Sequence, residues 1–179
     1  MIIGNQNSDE TGTYQFQLLD VPAPEAFSIA IGDVVSNGVP ESGAGQIEQP
    51  GAVDLYTFSA TAGQRVFFDW QSDLSFSDGW RWQVMDSAGT VIFDKSSLSN
   101  DPGTYLLELA GTYTMMISAP QNDDPGTYQF QLLQVPQPDE FTIAIGDVVS
   151  DGVPTSGAGN IEQPATLDLY TFQAEAGQL

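Results

Sequence analysis

The chain has 179 residues, with 24 acidic and 3 basic side chains and a formal charge of −21, a balance that repels phosphate backbones and anionic lipid and so excludes nucleic-acid and membrane-surface partners. Cysteine and histidine are both absent, which removes Ser-His-Asp and thiol nucleophiles, imidazole or thiolate zinc sites and disulfides. Hydrophobic residues make up 41%, enough for a packed core, and no apolar run approaches the length of a membrane-spanning helix, so no membrane insertion is expected.

In chain order, alternation of period two dominates and no stretch of helical period stands out. Phe27, Ile29 and Ile31 form the first alternating set, followed by Tyr56 and Phe58, then Val66, Phe68 and Trp70. Trp80, Trp82 and Val84 come next, then Val91 and Phe93, then Tyr105, Leu107 and Leu109. Tyr113, Met115 and Ile117 precede a closing set of Tyr128, Phe130 and Leu132. These are eight one-sided strands separated by turn signals such as Ala62-Gly63, Ser87-Ala88-Gly89 and Asp124-Pro125-Gly126. The pattern predicts an all-β fold of two antiparallel sheets packed face to face, a β-sandwich of Greek-key or jelly-roll type. A Gly-Thr-Tyr triplet ends at Tyr14, Tyr105, Tyr113 and Tyr128. It is similar to the tyrosine corner of such sandwiches, and it also reads simply as a turn glycine followed by a strand residue.

The chain also repeats itself. Residues 12 to 64 recur at 126 to 178, a shift of 114, with 13 of 53 aligned positions differing. Self-similarity of this kind marks tandem duplication of one structural unit. The Pro-rich stretches Asp20-Val-Pro-Ala-Pro-Glu25 and Gln134-Val-Pro-Gln-Pro-Asp139 are the natural joints. They predict a complete unit over 26 to 138, with 1 to 25 the end of a preceding copy and 139 to 179 the start of a following one. Met1 opens no basic, apolar leader, and the chain is expected to be part of a longer array.

Three blocks in order carry a resemblance: Asp54-Leu-Tyr-Thr-Phe-Ser-Ala-Thr-Ala-Gly-Gln64, Trp82-Gln-Val-Met-Asp-Ser-Ala-Gly-Thr-Val-Ile92, and the pair Ala110-Gly-Thr-Tyr-Thr-Met-Met-Ile117 and Asp124-Pro-Gly-Thr-Tyr-Gln-Phe130. Together they resemble the bacterial pre-peptidase C-terminal domain family over essentially the whole unit. The resemblance implies a non-catalytic β-sandwich of secreted or cell-surface bacterial proteins, some of whose relatives bind calcium. Its acid-rich segment ahead of the first strand is reduced here to Pro24-Glu25.

Calcium takes six to eight oxygen ligands, usually from neighbouring turns. The resemblance points to Asp54, and to its repeat Asp168, as a ligand, with Asp33 and Glu48 the acids expected to join it. Asn122-Asp123-Asp124 places three more oxygen-bearing side chains in one turn. Trp80, Arg81 and Trp82 are the candidate ligand-binding cluster: exposed, the two indoles would stack on sugar rings with Arg81 as a hydrogen-bonding neighbour. Their phase, continuous with Phe68 and Val84, instead predicts burial. Ser42-Gly-Ala-Gly45 lacks the Lys and the helix of a phosphate loop and reads as a turn.

No catalytic residues are expected, and the chain is not expected to be an enzyme. The function expected is that of a spacer module in a large secreted or cell-surface bacterial protein, with neighbouring repeats or other copies of the chain as partners. The alternative is an adhesive module, calcium-dependent in one form, that binds polysaccharide or an extracellular protein.

Overall fold

The computed structural model describes residues 13–72, 78–97, 101–119 and 125–177. Every regular element among them is a strand. The first sheet joins β1 (Glu25–Ser28), β4 (Val53–Ala60), β9 (Gly111–Ser118), β6 (Asp78–Met85) and β7 (Val91–Ser97), in the order β1-β4-β9-β6-β7. The second joins β2 (Val34–Val35), β11 (Phe130–Gln134), β5 (Gln64–Trp70) and β8 (Gly103–Leu107), in the order β2-β11-β5-β8. β3 (Gln46–Ile47) and β10 (Gly126–Thr127) form a short ladder of their own. Thus the two larger sheets draw every strand from residues 25 to 134, as a β-sandwich.

Alternation decides what these sheets bury. Along β4 the inward phase is Asp54, Tyr56, Phe58 and Ala60, all buried, while the residues between them are not. Tyr113, Met115 and Ile117 of β9 and Trp80, Trp82 and Val84 of β6 extend that inner face. Opposite lie Val35, Val66, Phe68, Leu107, Phe130 and Leu132, all at 0% exposure, and together they make one continuous core. Its centre is aromatic: the Phe68 ring stands edge-on to Trp82 at 5.9 Å, and Trp82 lies 5.5 Å from Phe130. Pairs of this geometry add about 0.5–1.5 kcal/mol beyond area burial.

Three features depart from the antiparallel scheme of eight strands. β1 runs parallel to β4, with Glu25 opposite Asp54 and Phe27 opposite Tyr56. A parallel pair needs a crossover of a dozen or more residues, and residues 29 to 52 provide it by visiting the second sheet through β2 before returning. The closing segment is also broken: Gly126 and Thr127 pair with β3, whereas Phe130 onward pairs with β2 and β5. Between these ladders Tyr128 donates its N–H to the Gly45 carbonyl at 2.8 Å and turns its ring inward. Of the four Gly-Thr-Tyr triplets, Tyr113 forms a tyrosine corner, its hydroxyl donating to the Leu109 carbonyl at 2.8 Å.

Residues 139 to 172 rebuild the first part of this architecture. β12 (Asp139–Ile143) runs parallel to β13 (Asp168–Phe172), with Asp139 opposite Asp168 and Phe141 opposite Tyr170, the β1/β4 register shifted by 114. The stacked rings repeat as well, at 5.1 Å for Phe27 and Tyr56 and 5.1 Å for Phe141 and Tyr170.

Gly45 is the tightest point of the crossover. Its φ is +73°, and a Cβ there would overlap the Ser36 carbonyl group. Its N–H and carbonyl also anchor Tyr56 and Tyr128. Gly45→Ala is expected to destabilise the fold by about 3 kcal/mol or more, because left-handed strain and a backbone clash add. Gly63 has a similar φ of +78° with nothing within 4 Å of the added carbon, so Gly63→Ala isolates the strain alone, about 1–2 kcal/mol. Equal urea midpoints for the two variants would contradict this account.

Candidate acidic site at the start of the fourth strand

Asp54 occupies the first inward position of β4 and is 1% exposed. The strand phase that buries Tyr56 and Phe58 therefore also draws a carboxyl into the edge of the core. The parallel register sets Glu25 beside it, and Glu48 approaches from the segment just after β3. These three acids line a cleft of about 370 Å³ together with Ser42, Gly43 and Gln46. The Glu25 carboxylate lies directly over Gly43, where a Cβ would collide with it. Gln46 donates from its amide to Glu48 at 2.8 Å.

A relay of hydroxyls holds the buried carboxyl from the core side. The Gly45 N–H donates to the Tyr56 hydroxyl at 2.9 Å, and the Tyr56 and Tyr128 hydroxyls share a hydrogen bond of 2.7 Å. Tyr128 in turn donates to Asp54 Oδ2. Oδ1 of the same carboxyl is buried and accepts no hydrogen bond among the described residues. Burial pushes the Asp54 pKa up to about 7, the nearby Glu48 and Glu25 charges add to the rise, and the tyrosine hydrogen bonds oppose it. Burial likewise raises both tyrosines, so these hydroxyls remain protonated donors.

The repeat builds the same arrangement again. Asp139, Glu162 and Asp168 stand at the positions of Glu25, Glu48 and Asp54, and one carboxylate oxygen from each lies within 4.8 Å of the others. Gly159 donates to the Tyr170 hydroxyl at 2.8 Å, and Tyr170 donates to Asp168 Oδ2 at 2.9 Å. No Lys or Arg occurs in either set. The donors suit a hard divalent cation: three carboxylates, side-chain oxygens of Ser42 and Gln46 close by, and a buried Asp54 oxygen without a partner.

The structure changes the expected set of acids. Asp33 does not join Asp54; its Oδ2 accepts the Ala30 N–H at 2.8 Å and closes a turn, as Asp147 does for Ala144 at 2.7 Å. Its place is taken by Glu25. Asn122-Asp123-Asp124 lies outside the described residues. Trp80 and Trp82 are 1% and 0% exposed, so the exposed stacking platform does not form on their rings. Arg81 points the other way, to the outer face, where its guanidinium pairs with Asp94 through Nε at 2.8 Å and through a second contact from Nη2. Tyr128 is the residue that spacing did not reveal; its signal was the Gly-Thr-Tyr of the closing segment, read against the strand phase of Asp54.

No family model and no curated protein matches the chain. Among solved structures, the chain is similar to the pre-peptidase C-terminal domain of collagenase from Bacillus anthracis, at 13% identity and a TM-score of 0.47 over 63% of this chain and 99% of that one. It is also similar to PliG, a periplasmic inhibitor of g-type lysozyme, from Salmonella Typhimurium, at 16% identity and a TM-score of 0.42 over 62% of this chain and 98% of that one. The PliG of Aeromonas hydrophila gives 11% identity and a TM-score of 0.44 over 63% and 99%.

Proposed function

We propose that the chain is a stretch of a tandem array of non-catalytic β-sandwich modules that act as spacers in a large exported bacterial protein, each module holding a calcium ion between β1 and β4. The observation that carries this reading is the recurrence, at a shift of 114 residues, of one sequence, one parallel strand pair and one triad of carboxylates. A spacer gains length with every copy, whereas a catalytic centre gains little from near-identical neighbours. Export agrees with the ordered resemblance of residues 54 to 130 to the pre-peptidase C-terminal family and with carboxylate-only sites of the sort that calcium fills at extracellular concentrations.

In this reading Glu25, Glu48 and Asp54 hold the ion, and Tyr128 fixes the Asp54 carboxyl so that Oδ1 faces the cleft. The ion screens three like charges at the seam where one unit follows another. Polypeptides carrying one, two and three 114-residue units provide the test. In millimolar calcium, small-angle scattering should show the maximum dimension rising by a constant increment per unit. A maximum dimension that stays nearly constant as units are added would contradict a spacer.

A further inference from the structure

The segment Tyr14-Gln-Phe-Gln-Leu-Leu19 repeats the closing sequence Tyr128-Gln-Phe-Gln-Leu-Leu133. The two copies live in opposite environments. Tyr128, Phe130 and Leu132 are 2%, 0% and 0% exposed, whereas Tyr14, Phe16 and Leu18 are 69%, 53% and 82% exposed. Residues 139 to 177 show the reciprocal contrast: Ile47 is 1% exposed and its repeat Ile161 is 57%. In the 25–134 sandwich, the elements that cover this surface are β10 and β11. Gly126 pairs with Ile47, Tyr128 N–H meets the Gly45 carbonyl, Phe130 pairs with Val35, and the Leu132 carbonyl accepts from Gly32 N–H at 2.7 Å.

From this contrast we infer that residues 13–21 of one copy of the chain dock as the closing strand on residues 145–170 of a second copy. The register is fixed by the folded unit shifted by 114. Phe16 lies opposite Val149, Tyr14 N–H meets the Gly159 carbonyl, and the Leu18 carbonyl accepts from Gly146 N–H. The Tyr14 hydroxyl then reaches Asp168, as Tyr128 reaches Asp54. Main-chain bonds to an open strand edge provide the attachment, and alternate side chains entering the apolar face provide the selectivity. Because donor and acceptor are different surfaces, the contact is head-to-tail and propagates into an open chain of copies instead of closing as a symmetric dimer. The inference goes beyond the spacer reading and does not depend on calcium.

The test uses the 179-residue protein in EDTA. Sedimentation velocity should show a weight-average mass that rises with concentration through dimer and larger species. Phe16→Asp damages the donor and Ile161→Asp the acceptor; both residues are exposed and lie outside the two larger sheets, so the Trp80 and Trp82 fluorescence of the folded unit should be unchanged in each. Either variant alone should raise the concentration of half-association at least about tenfold, as expected for loss of a buried anchor at a small interface. An equimolar mixture of the two should restore a dimer and nothing larger, since one intact donor and one intact acceptor remain. A strictly monomeric parent chain overturns the inference, as does association of either variant at the parent's strength.

Discussion

Trp82→Ala is expected to cost about 3–5 kcal/mol of folding stability, the range for truncating a large aromatic in a core that cannot collapse around the loss. The side chain is 0% exposed and is held by Phe68, Phe93, Phe130 and Trp70, with ring centroids between 5.5 and 5.9 Å away. It thus ties β6 and β7 of one sheet to β5 and β11 of the other. A domain of this size has a total stability of about 5–15 kcal/mol, so the variant should sit close to unfolding at room temperature. Trp82→Phe should be far milder. It keeps a ring in the slot and removes an indole N–H that is buried without a partner among the described residues. Urea denaturation followed by circular dichroism measures both. An unchanged midpoint for Trp82→Ala, together with loss of binding to a glycan, would return the cluster to the adhesive reading.

The second large effect lies at Asp54 and has a definite sign. In the folded chain its carboxyl titrates near 7, whereas an unfolded aspartate titrates near 3.8. Between those values the folded state holds a proton that the unfolded state has released. The stability contributed by this group is therefore complete below about pH 4 and declines as pH rises to about 7. The loss amounts to up to about 4 kcal/mol, from three pKa units at about 1.4 kcal/mol each. Asp54→Asn keeps the shape without the titration, so in EDTA the variant should show the smaller decline in stability between pH 5 and pH 8. Calcium opposes the same loss by taking the place of the proton. At a hundred times its dissociation constant it should restore about 2.7 kcal/mol at pH 8, and Asp54→Asn should remove that gain from the tryptophan-reported transition. A calcium response unaltered in Asp54→Asn, or pH profiles identical in the two proteins, would contradict the site.

The strand phases were legible because each long strand buries one face. Tyr56 with Phe58, Val66 with Phe68, and Tyr113 with Met115 and Ile117 alternate with polar residues, and the inward phase follows directly. The burial of Trp80 and Trp82 followed from the same phase. β2, β3 and β10 were not legible, since two residues cannot display a period. Nor was the parallel run of β1 along β4, because strand direction is set by where the crossover returns and not by the pattern of either strand. That blind spot explains the exchange of acids at the site. Asp33 is nearer to Asp54 in sequence than Glu25 is, yet the parallel register puts Glu25 opposite Asp54 and leaves Asp33 closing a turn. Tyr128 was hidden for a related reason, being 74 residues away and delivered by a segment that changes sheets between Thr127 and Phe130.

Central to this account is a 114-residue unit whose core closes only when all the strands of the two sheets come together. Amide hydrogen exchange on the 179-residue protein, kept dilute enough to be monomeric, tests that most directly. The account predicts slow exchange, approaching the global unfolding limit, for amides of β4, β5, β9 and β11, and exchange faster by orders of magnitude for residues 13–21 and for β12 and β13. Protection of β12 and β13 equal to that of β4 and β9 in the monomer would show that the second copy folds without the tryptophan-bearing strands, and the unit as drawn would be wrong.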